Sequence, residues 1–151
     1  MIQKLPAAID TFVKSSKPTF MLPIKTTLLV NGLSSGATGV ALIAFSNQAA
    51  KLFEVSQVSP FVYTGIFLLL FALFVISTGM KKNIKQGAIK FITSLDILWV
   101  VASIALVVID GSYISSIGNV LVIAVAAWVA LMALLQSKGL KHRERLQTAR
   151  L

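Results

Sequence analysis

Five acidic residues occur in this chain of 151, and Asp96 is the one that lies inside an apolar run. An ionisable group in that setting is costly and marks a candidate for function. It sits six residues beyond Lys90, about 9 Å along a helix at ~1.5 Å per residue. Helical spacing puts Thr93, Asp96, Trp99 and Ser103 on one face. Asn31 lies six residues beyond Lys25, at a similar depth, with Ser34, Ser35 and Thr38 on its side of the helix. Antiparallel neighbours bring Ser77, Thr78 and Gln136 toward the same layer. A polar cluster inside a helical bundle is therefore expected, and two chemistries fit it. Asp96 could be a proton-binding carboxylate coupled to movement of a small substrate, or to a lipid or quinone-like headgroup. It could also be a strut that fixes helix register, bonded to Asn31 or paired with Lys90 or Lys85.

Other chemistry is excluded by inventory. Cysteine is absent and histidine occurs once, so disulfide exchange, thiolate catalysis, Cys-ligated metals and bis-His haem have no residues to work with. No phosphate-cradling or dinucleotide glycine pattern occurs, and no pair of acids or histidines stands at metal-ligand spacing. His142 lies in a charged tail, far in sequence from any serine of an apolar run. Neither an enzyme nor a metal or cofactor site is expected.

The elements that must hold these residues are membrane spans. Hydrophobic residues make up 56% of the chain, charged ones 13%, and mean hydropathy is +0.86, well outside the balance of a soluble domain. Four apolar runs stand at about 27–45, 61–78, 91–109 and 117–135, each near the ~20 residues that cross a hydrocarbon core as a helix. Ile66 to Ile76 is a solid apolar block, incompatible with the alternation of a barrel strand. Four spans with short connections predict an all-α membrane protein, an up-down-up-down four-helix bundle. The domain plan is a basic segment 1–26, a transmembrane domain 27–137 and a basic tail 138–151.

Charge orients the spans. Of fourteen Lys and Arg, four precede the first run, four lie between the second and third, and five follow the fourth; Lys51 alone falls in the other connections. The positive-inside rule then places both termini in the cytoplasm, with a bacterial inner membrane as the location. The net charge of +9 accordingly suits the anionic inner leaflet and not nucleic acid, because no folded module or aromatic platform accompanies it. Ahead of the first span, Leu5, Ile9, Phe12 and Val13 could form a short amphipathic turn at the membrane surface. Trp99 and Trp128, well inside their runs, read as packing elements or lipid-facing bulk.

Helices in lipid associate through close backbone approach, so small residues at helical spacing mark contact faces. Gly32, Gly36 and Gly39 form such a stripe in the first run, Gly65, Ala72 and Gly79 in the second, Ala126 and Ala130 in the fourth, and Ala102 beside Ser103 in the third. The first stripe could pack within the chain or join two copies. A shift of 65 residues superposes Lys25 on Lys90, Asn31 on Asp96, Ala37 on Ala102 and Thr38 on Ser103, as two parallel hairpin repeats would; the second and fourth runs do not continue it.

The segments Asn31-Gly-Leu-Ser-Ser-Gly-Ala-Thr-Gly39, Leu95-Asp-Ile-Leu-Trp-Val-Val-Ala-Ser103 and Leu135-Gln-Ser-Lys-Gly-Leu140 resemble a group of uncharacterised bacterial four-span membrane proteins. In span number and size the chain is also similar to DoxX-like proteins, a resemblance of layout that implies a four-helix membrane fold and, for some members, quinone-linked complexes. Neither supplies a catalytic residue. The expected function is an accessory or structural membrane component, partnered with itself or another membrane protein. The alternative is a small proton-coupled carrier, or a lipid or quinone binder, that uses Asp96.

Overall fold

A computed structural model describes residues 24–148; the amphipathic turn anticipated around Phe12 lies outside the described residues. The elements are α1 (Ile24–Ala44), α2 (Ser46–Leu52), α3 (Ser59–Gly79), α4 (Gln86–Asp110), a single 3-10 turn (Gly111–Tyr113) and α5 (Ser116–Thr148). α1, α3, α4 and α5 are long and apolar enough to span a membrane, and no strand occurs among the described residues. A helix satisfies its own backbone in lipid, which is why each apolar run takes this form.

Several boundaries differ from the apolar runs, and α4 starts at Gln86, ahead of its run. α1 starts at Ile24. The connection after it is partly helical: Phe45 N–H donates to Ala41 O and Ala49 N–H to Phe45 O at 2.9 and 2.8 Å, so α2 continues α1 across a bend. Glu54, with φ 57°, then occupies the left-handed position that ends a helix. α5 does not stop near residue 135 but carries Lys138 and Lys141 onward to Thr148. Lys, Arg, Glu, Leu and Gln are good helix formers, so loss of hydropathy there marks the edge of the apolar span and not the end of the helix.

The spans alternate in direction and close as an up-down-up-down bundle. α1 lies along α3, α4 lies along α5, and α1 also touches α5. The α1–α3 contact is the closest: a Cβ on Gly39 would stand 2.8 Å from Gly65 O, and one on Gly32 2.6 Å from Ile76 Cγ1. Gly36 faces Ala72, and Gly79 faces Leu28 and Leu29. The glycine stripe is thus used within the chain. Ala126 and Ala133 of α5 are buried and Ala130 is half-buried, whereas Ala102 of α4 is exposed and makes no contact face. α3 and α4 meet through rings: Phe67 stacks on Trp99 at 6.1 Å, and Phe74 meets Phe91 edge-on at 5.8 Å.

The packed core is confined to the lysine-rich end, where Leu28, Phe71, Val75, Ile84, Ile89, Ile92 and Leu140 cluster. The opposite end is closed by hydrogen bonds. Ser115 Oγ donates to Leu52 O at 2.6 Å and accepts from Gly118 N–H at 3.0 Å, while Ser115 N–H donates to Phe53 O at 3.0 Å. One serine therefore caps α5 and ties it to the end of α2.

Gly39→Leu is expected to destabilise the protein by about 1–3 kcal/mol or more through overpacking, because the added Cβ meets the backbone of α3. Gly87→Leu, at a position with nothing within 4 Å of an added Cβ, should be near neutral. Unfolding of both variants in detergent checks the difference.

Candidate functional site

Asp96 projects from the middle of α4 and is 3% exposed. Its Oδ2 accepts two hydrogen bonds, from Asn31 Nδ2 of α1 at 2.8 Å and from Gln136 Nε2 of α5 at 2.9 Å. Thr93, one turn earlier on α4, donates through Oγ1 to Gln136 Oε1 at 2.9 Å. That bond fixes which end of the Gln136 amide faces the carboxyl. Asn31 and Gln136 are fully buried. The partners of Asp96 are two neutral amides, and no described lysine pairs with it. The expected pairing with Lys90 or Lys85 is replaced by side chains that already lie at its depth, since an amide there needs no long reach from the surface. The pairing with Asn31 is as the sequence suggested.

The cluster is unevenly satisfied. Oδ2 of Asp96 is bonded twice, yet Oδ1 accepts no hydrogen bond from any described residue. Asn31 Oδ1 is buried without a partner. Buried polar atoms are normally bonded, so the unpartnered Asn31 Oδ1 beside the carboxyl is informative.

Beside this layer, on the side away from the core, lies a cavity of about 340 Å³ bounded by all four spans. Asp96 forms part of its wall together with Ser34, Ser35 and Thr38 of α1. Phe67 and Phe71 line it from α3, Trp99 from α4, and Leu121, Val125 and Trp128 from α5. The walls are otherwise apolar. Most of the polar hydrogens near them are already committed: Ser34 Oγ donates to Asn31 O at 3.0 Å, Thr38 Oγ1 to Ser34 O at 2.9 Å, and Trp128 Nε1 to Ser34 Oγ at 3.2 Å. Asp96 is the one ionisable side chain in that wall.

Of the residues singled out in the sequence, Asp96, Asn31, Thr93 and Gln136 form one hydrogen-bonded set, and Trp99 lines the cavity next to it. Ser103 stands two turns further along α4, half-buried, outside both the set and the cavity wall. Thr78 is buried but donates to Phe74 O of its own helix at 2.8 Å. Trp128 takes a part that its sequence position did not suggest; the available signal was its spacing of eight residues from Gln136, which places it near the same face two turns away. No three His, Cys, Asp or Glu residues gather among the described residues. The arrangement can bind and orient a ligand, and Asp96 is its one ionisable group among the described residues that form it.

Comparison with protein-family models, with curated proteins and with solved structures finds no match to this chain. Its function is therefore read from its own residues.

Because Asp96 takes both of its bonds from other helices, Asn31→Leu and Gln136→Leu are each expected to destabilise the protein by about 1–2 kcal/mol. The double substitution should cost more than their total, since after either single change the other amide still bonds Asp96 Oδ2 and only the pair leaves the carboxyl unpaired. Reversible unfolding of the four proteins of this cycle provides the check, and strict additivity would mean that the cluster does not act as a unit.

Proposed function

We propose that this is a non-catalytic multi-pass membrane protein that binds one small, largely apolar molecule between its four spans, with the molecule's polar head donating a hydrogen bond to Asp96 Oδ1. The observation that carries this is the cavity of about 340 Å³ that reaches a carboxyl whose second oxygen is unused. The volume falls at the lower end of the ~300–1,000 Å³ typical of small-molecule sites. Apolar walls with one convergent polar group are also the usual composition of such sites. A quinol-like or hydroxyl-bearing amphiphile has this chemistry, and the DoxX-like layout agrees with it.

The proposal includes a setting. The lysine-rich end faces the cytoplasm of a bacterial cell, in its inner membrane, with both termini inside. The distribution of Lys and Arg along the chain supports this, and the anionic leaflet is the partner of those residues. A second reading keeps Asp96 as a strut in an accessory bundle that binds nothing and serves another membrane protein or a second copy. What favours it is the pair of amides on Oδ2, which join three helices.

Trp99 and Trp128 are the only tryptophans in the chain and both line the cavity, so intrinsic fluorescence reports occupancy directly. Protein in lipid nanodiscs is titrated with dibromododecanol, whose bromines quench tryptophan, and with its methyl ether, which cannot donate. Saturable quenching by the alcohol, reversed by plain dodecanol and at least about tenfold tighter than by the ether, is expected, given ~1.5–3 kcal/mol for a hydrogen bond to a charged group. Asp96→Leu should remove the preference. Equal quenching by alcohol and ether, or none that saturates, overturns ligand binding and leaves the strut.

A further inference from the structure

Along the face of α5 that looks into the bundle, burial changes in one direction. Met132, Gln136 and Leu140 are buried at 4%, 0% and 9% exposure, and Val129 is half-buried. Val125 and Leu121, on the same face further on, are 37% and 40% exposed, and Trp128 beside them is 44% exposed. All three line the cavity. A stripe that points inward and is nevertheless uncovered at Val125 and Leu121 means that α5 is seated at the lysine-rich end, is held again at the other end where Gly118 meets Phe53 and Ser115 binds Leu52, and stands off the bundle between the two. The seat is visible at Gly139, where an added Cβ would lie 3.1 Å from Ile24 of α1. Further along, Trp128 Nε1 of α5 donates to Ser34 Oγ of α1 at 3.2 Å.

The other sides of the cavity are bounded by bonded or packed elements. Toward the lysine-rich end lie the Asn31, Asp96 and Gln136 layer and the packed core. Toward the opposite end α2 folds back with Ser46 and Ala50 buried, Phe53 packs edge-on against Phe61 at 5.1 Å, and Ser115 binds the two connections together. α1 and α3 are in backbone contact at Gly39 and Gly65. Phe67 and Trp99, stacked at 6.1 Å, bridge α3 and α4.

We propose that the cavity is loaded sideways, from the hydrocarbon of the bilayer, through the gap between α1 and α5, and that the Trp128–Ser34 hydrogen bond is its latch. The occupant is then a lipid-dissolved amphiphile, with its tail among Leu121, Val125 and the rings and its donor head at Asp96, and not a water-soluble solute. This rests on the ligand-binding reading above and adds the class and the route. An indole suits the latch: it is broad enough to cover the gap, and its single polar bond is to a hydroxyl already held by the backbone of α1.

The test follows loading by stopped-flow tryptophan quenching in nanodiscs, with dibromododecanol delivered in donor vesicles and bromoethanol delivered in water. Dibromododecanol should quench saturably and bromoethanol should not. Ser34→Ala, which breaks the latch and keeps both fluorophores, should load about fivefold faster, the factor that one neutral hydrogen bond is worth. Ala124→Phe, which narrows the mouth, should load at least about tenfold more slowly; Leu121→Phe is the second variant should the first fail to fold. Saturable quenching by bromoethanol at a rate equal to or above that of the lipid probe overturns the lateral route and leaves ligand binding standing. Loading rates unchanged in Ser34→Ala and in the narrowed variant overturn the latch and the gap. If neither probe quenches saturably in the unaltered protein, ligand binding itself falls.

Discussion

A carboxyl group inside a bundle that has lipid on its outside can reach no bulk water, so its hydrogen bonds must come from neighbouring helices. Asp96 imposes that requirement on three of the four spans. Asn31 must face it from α1, Gln136 must face it from α5, and Thr93 of α4 must hold the Gln136 amide with its nitrogen toward the acid. Rotating any of these helices by one residue, about 100°, would leave a buried polar group unpaired. The rotational setting of α1, α4 and α5 follows from this one group, and α3 is then placed by the glycines of α1, which admit it to backbone contact.

That construction explains why one half of the molecule is full and the other is hollow. Around the polar layer and toward the lysine-rich end, branched aliphatic side chains fill the space between helices. In the other half, α1 and α3 are drawn together by small residues while rings hold α3 and α4 apart. α5 packs more extensively along α4 than along α1, with its Ala126 and Ala133 buried. In water, exclusion of apolar surface would press such a gap closed. In lipid that force is missing, because a hydrocarbon chain or an apolar ligand solvates the walls as well as another helix would. A cavity of this kind is therefore stable without being filled by protein.

Much of the polar layer was legible from residue types and depth. Counting from the lysines set Asn31 and Asp96 at one level, and antiparallel order brought Gln136 to it. The separation of 65 residues that superposes Asn31 on Asp96 is also the separation of the two residues that bond, and the tight pairs α1–α3 and α4–α5 are the two hairpins that such a repeat would relate. The cavity was not legible. Periodicity identifies the face a residue is on, but an empty space is set by the tilt of whole helices, so Trp99 and Trp128 read as packing. Ser103 shares the face of Asp96, yet two turns on it has passed beyond the cavity wall. Likewise the hydropathy that bounds a span says nothing about whether the backbone goes on as helix in water, as α5 does past Gln136.

The unequal use of the two Asp96 oxygens is what favours the proposed site over a strut. A group needed only to fix helix register could be an asparagine or glutamine, which brings its own donor and bonds its neighbours without an ionisable group in the membrane. A carboxyl retained as a strut would be expected to employ both oxygens, since each unpaired acceptor adds a desolvation cost with no return in register. Here both amides converge on Oδ2, and Asp96 forms part of the wall of the cavity. The amides hold the carboxyl in a fixed orientation through one oxygen and present the other, as side chains around a binding group do when they preorganise it. The same bonds that set the helices thus aim an acceptor into the space that α5 leaves open.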